Sequence, residues 1–66
     1  MKTMYHVFTN NNDDWTDDYG KAVNMFSEFK NGYGCARLYE EKWKNPDIDD
    51  EPIEENCIKS FGEWPL

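Results

Sequence analysis

Cys35-Ala36-Arg37-Leu38-Tyr39-Glu40-Glu41-Lys42-Trp43 admits two backbone readings, and the choice between them decides the fold. Leu38, Glu40, Glu41 and Lys42 are good helix formers. Strict alternation instead puts Cys35, Arg37, Tyr39, Glu41 and Trp43 on one face of a strand and Ala36, Leu38, Glu40 and Lys42 on the other. The interval from Gly34 to Pro46 is short for a helix, and the strand is the better reading.

Upstream, Tyr19, Ala22, Val23, Met25, Phe26 and Phe29 recur at spacings of three and four, an amphipathic helical stripe. Trp15-Thr16-Asp17-Asp18 reads as the helix start, with Thr16 as N-cap and the two aspartates in a first turn that favours negative charge. Gly32 suits the C-cap, so the helix is predicted over residues 16–31. Before it, Thr3 to Thr9 is rich in β-branched and aromatic residues and ends in the turn cluster Asn10-Asn11-Asn12-Asp13-Asp14.

Downstream, the prolines and acids of Asn45 to Pro52 predict a solvated loop, and Ile53 to Phe61 a further strand. Trp64, in the tail Gly62 to Leu66, is placed to fold back as a lid. The order β-α-β-β predicts an α+β fold with a three-stranded antiparallel sheet and one helix across one face. Sixty-six residues fit a single domain, 1–66, and no repeat or linker interrupts it.

A hairpin centred near residue 48 sets Cys57 opposite Tyr39 and Cys35 near Phe61. The two cysteines then stand about 13 Å apart along the sheet, beyond the reach of about 7 Å that a disulfide needs. They are read as free, partly buried thiols, and two cysteines match no zinc spacing.

Mean hydropathy is low and the net charge is -7, which by themselves suggest disorder. An aromatic content of 17% points to a folded chain with a ring-built core. The acidity argues against direct nucleic-acid binding and against adsorption to an anionic membrane. No apolar run approaches a membrane span, and Met1 to His6 has no signal-peptide character, so a cytoplasmic protein is expected.

The residues give no catalytic signature, and no enzyme is predicted. His6 is the only histidine, and a strand histidine among aromatics is read as a packed or surface residue. Asn10 to Asp14 and Asp47 to Glu51 are oxygen-rich, yet neither has the glycine and terminal glutamate of a calcium loop. No metal and no cofactor is expected.

The charge is unevenly spread. Residues 10–20 hold Asp13, Asp14, Asp17 and Asp18, and residues 45–58 hold Asp47, Asp49, Asp50, Glu51, Glu54 and Glu55, with no Lys or Arg in either run. The rest of the chain has four acids against seven bases. Capping, turn formation and solubility account for part of this pattern. Self-repulsion in so small a domain is a reason to look for a use as well. These ten acids are the candidate partner-binding residues, with Trp15, Trp43 or Trp64 as apolar anchors.

A compact acidic domain with the runs Asn10 to Asp18 and Asp47 to Glu55 resembles the phage-encoded, DNA-mimicking anti-CRISPR proteins in general character, without a shared motif. The resemblance implies a monomeric, non-enzymatic inhibitor that occupies the basic nucleic-acid-binding surface of a Cas effector and blocks target binding. The alternative is a small adaptor that binds through an aromatic patch or a sheet edge, its acids serving solubility only.

Overall fold

The computed structural model describes residues 1–62. Trp64, the expected lid, lies outside them. The elements are β1 (Lys2–Phe8), β2 (Asp13–Thr16), α1 (Tyr19–Tyr33), β3 (Ala36–Trp43) and β4 (Glu54–Phe61). The strands form one antiparallel sheet in the order β2-β1-β3-β4. The α+β class is as expected, with four strands where three were predicted.

The extra strand, β2, comes from residues assigned to a turn and a helix start. Aspartate is a poor strand former, but here it stands on an outer strand, where its side chain stays in water. A four-residue turn closes the hairpin, the Thr9 amide donating to the Asn12 carbonyl at 2.8 Å. Phe8 then faces Asp13, and His6 faces Trp15.

Shortening the helix at its start moves its cap. Asp18, not Thr16, is the N-cap, its carboxylate accepting from the Lys21 amide at 3.1 Å. Thr16 Oγ1 accepts from the Asp18 amide at 3.1 Å, so the predicted cap shapes the turn before the helix. Asp17 and Asp18 accordingly precede the first turn instead of filling it. At the other end the helix runs two residues past the predicted stop and closes on Gly34, at φ 80°, rather than on Gly32. Only glycine adopts that conformation freely. Lys30 in the last turn complements the negative end of the helix dipole.

The predicted helical stripe covers one face of the sheet. Val7, Ala22 and Leu38 are fully buried, with Tyr5, Val23, Met25, Phe26 and Phe29 packed on them. Tyr19 remains half exposed and meets Tyr5 edge to face, ring centres 5.4 Å apart. Val7 pairs with Leu38 across β1 and β3, which fixes the strand reading of residues 36–43 and the face that each residue takes.

Cys57 lies opposite Tyr39 as predicted, and a register shift between Leu38 and Tyr39 leaves Ala36, not Cys35, paired with Phe61. Both cysteines are free; Cys35 is buried and Cys57 exposed. Gly62, at φ 89°, lies against Gly34 and Cys35 so closely that a Cβ would come within 2.6 Å of the Gly34 carbonyl oxygen. No described helix is long and apolar enough to cross a membrane.

Candidate functional site

The face of the sheet away from the helix is built around a buried carboxylate. Alternation on β1 and β3 sends Met4, His6, Phe8, Tyr39, Glu41 and Trp43 to this side, and the pairing of β2 with β1 adds Asp13 and Trp15. Glu41 is only 3% exposed. Its Oε1 accepts the indole N–H of Trp15 at 3.2 Å and that of Trp43 at 3.1 Å. Its Oε2 stands 3.4 Å from His6 Nδ1. A buried carboxylate is tolerated only with such partners.

His6 is fixed from three sides. Its Nε2 lies 3.2 Å from Asp13 Oδ2, and its ring stacks on Trp15 at 4.1 Å and 8°. Phe8 closes the row at 4.9 Å. The imidazole is thus bracketed by two carboxylates across the sheet, a structural position that the packed-residue expectation describes.

In register with Glu41 on β4 stands Glu55. Its carboxyl is held above the ordinary 4.5 by partial desolvation first, then by the charge of Glu41 and a hydrogen bond with it, with Glu51 adding to the effect and His6 opposing it. Two acids in one row of a sheet, one of them buried, repel each other unless a proton or a cation stands between them.

A cleft of about 200 Å³ opens beside this cluster, lined by Met4, Trp15, Trp43 and Pro46. Pro46 belongs to an ordered turn between β3 and β4. The Asn45 amide donates to Asp49 Oδ2 at 2.9 Å, the Asp47 amide to Asn45 Oδ1 at 3.1 Å, and the Asp49 amide to the Asn45 carbonyl at 2.9 Å. The segment expected to be a solvated loop has a defined shape for that reason.

The ten predicted acids fall into two groups. β2 and β3 both end, and β4 begins, at the end of the sheet where β1 starts. Asp17, Asp18, Asp47, Asp49, Asp50, Glu51 and Glu54 therefore share that end, with Glu55 one residue further in. Asp13 and Asp14 stand at the beginning of β2, towards the other end, and Asp13 is engaged with His6. Nor do the acids lie only in loops: Asp13, Asp14, Glu54 and Glu55 are strand residues.

The acidic end is less pure in space than its runs are in sequence. Lys2, Lys21, Lys42 and Lys44 share it, and Lys2 Nζ lies 3.6 Å from Asp17. Eight carboxylates still face four lysines there. Among the described residues the opposite end is balanced, with Lys30, Arg37 and Lys59 against Asp13, Asp14 and Glu28. The excess negative charge is therefore local.

Glu41 and the pairing of Trp15 with Trp43 escaped the sequence reading. A glutamate alternating with Tyr39 and Trp43 on one strand face was the available signal. Among the described residues, no group of three or more His, Cys, Asp or Glu is arranged to hold a metal ion. Comparison with family models, curated proteins and solved structures finds no match to this chain.

Proposed function

We propose that the chain is a non-enzymatic inhibitor that docks its acidic end on a basic, nucleic-acid-binding protein surface and excludes the nucleic acid. The observation that carries this reading is the strand pairing that gathers eight acids from two separate runs at one end. The two groups, after β2 and between β3 and β4, stand two to three strand spacings apart, about 10–14 Å. That separation is comparable to the roughly 12 Å width of the DNA major groove, whose edges are rows of phosphate. A Cas effector is the partner class implied by the resemblance to anti-CRISPR proteins.

The test reverses charge without disturbing the turn that presents it. Asp49 caps that turn and is kept, whereas Asp47, Asp50 and Glu51 have no side-chain contact that holds the backbone. The variant Asp47→Lys, Asp50→Lys, Glu51→Lys should keep its circular dichroism and lose the ability to displace target DNA from a purified Cas effector complex. Wild-type displacement should weaken steeply as salt rises. Undiminished displacement by the folded variant would reject charge mimicry.

The adaptor alternative has one specific observation in its favour. β4 is an outer strand exposed along its whole length, with Ile58 and Phe61 each partly exposed. Glu54, Glu55, Lys59 and the register shift are the devices that ordinarily keep such an edge from pairing.

A further inference from the structure

We infer that the cleft between Trp15 and Trp43 is a receptor for a single arginine side chain of the partner; this deepens the proposed docking and rests on it. The cleft is too small for an ordinary small-molecule ligand, which needs a pocket of about 300 Å³ or more, and has the scale of one side chain. Its walls are two indoles, a thioether and a proline ring. Both indole N–H groups are already spent on Glu41, so the rings offer the cleft carbon and π surface, not donors.

The charge around the cleft selects what enters. Glu41 accepts the N–H groups of both indoles that line the cleft, Glu55 stands opposite it in register, and Asp47 follows Pro46 in the chain. The cation held against Glu41 is His6 when protonated, and Asp13 draws on the same ring. Lys2, across β1 from Trp43, has its ammonium 3.6 Å from Asp17. Lys44 is exposed next in the chain after Trp43. Apolar, aromatic walls beside under-neutralised carboxylates match a cation with a flat, weakly hydrated face.

Guanidinium meets that description better than ammonium. It stacks on indole and pairs in a planar fork with carboxylate, whereas the lysine head is a compact, strongly hydrated charge. An arginine stem would lie along Met4 and Pro46 while its head stacks on the two indoles at the acidic end of the sheet. Basic nucleic-acid-binding surfaces are rich in arginine, so the cleft adds side-chain selectivity to a contact otherwise set by net charge.

The probes are hexa-arginine and hexa-lysine peptides at low salt, followed by the indole Nε1–H resonances of ¹⁵N-labelled protein. Arginine peptide should shift the Trp15 and Trp43 indole signals and bind about fivefold more tightly than lysine peptide. Met4→Lys, which sets a cation in the cleft wall, and Trp43→Ala should each erase that preference. The wild-type spectrum decides the matter even if Trp43→Ala does not fold. Equal affinities with unmoved indole signals would overturn the arginine cleft. If the triple reversal of Asp47, Asp50 and Glu51 still weakens both peptides, mimicry survives that result; if neither peptide responds to the reversal, the docking surface itself is wrong.

Discussion

At the scale of single residues, Glu41 does the work of a core residue on a face with no helix over it. It draws two tryptophans and a histidine to one point, and each hydrogen bond to a charged acceptor is worth about 1.5–3 kcal/mol. Glu41→Ala should cost about 3 kcal/mol in urea unfolding, because two indole N–H groups lose their acceptor. Glu41→Gln keeps a carbonyl oxygen for the indoles and should cost less than half as much. Equal losses would mean that the charge, not the acceptor, holds the cluster. Glu55 acts in the opposite sense. Its carboxyl titrates higher in the fold than in the unfolded chain, so the fold favours the protonated form. Stability is then fully present below the ordinary 4.5 and falls as pH rises through the raised value. Glu55→Gln should raise the melting temperature at pH 7 by about 2 °C, a few tenths of a kcal/mol because the Glu55 carboxyl itself is solvent-screened. The gain should vanish near pH 3, and a gain that persisted there would exclude repulsion as its cause.

Among the elements, what was legible in the sequence is what periodicity alone controls. The stripe from Ala22 to Phe29 named the face the helix buries, and the alternation of Ala36 to Trp43 separated the two faces of the strand, with the burial of Val7, Ala22 and Leu38 deciding which one meets the helix. The parts that were not legible depend on partners distant in sequence. Asp13 and Asp14 are poor strand formers, and the segment becomes a strand because β1 offers it a free edge and His6 and Glu41 receive Asp13 and Trp15. The choice of Asp18 over Thr16 as cap follows from the same shift, because β2 occupies the residues that would have opened the helix. Gly62 is a further case, since its constraint comes from Gly34 and Cys35 in the chain turn alongside it. Gly62→Ala should lower stability by at least about 1–3 kcal/mol, from positive φ and from a Cβ 2.6 Å from a carbonyl oxygen. A melting curve matching wild type would show that the two turns are not in contact.

For the whole molecule, the charge that looks diffuse as a total of -7 has an address. The sheet order and strand directions put the excess at one end, together with the aromatic cleft, while among the described residues the other end is balanced. Four lysines at the acidic end make it a patterned surface instead of a uniform one. The most direct measurement of this account is an amide-shift footprint of the ¹⁵N-labelled protein bound to a Cas effector, or to the basic domain that carries its DNA channel. Shifts and line broadening should concentrate on Asp17, Asp18 and residues 44–55, with the Trp15 and Trp43 indoles. A footprint confined to the outer edge of β4 at Ile58 to Phe61, or to the Lys30 end, would contradict it.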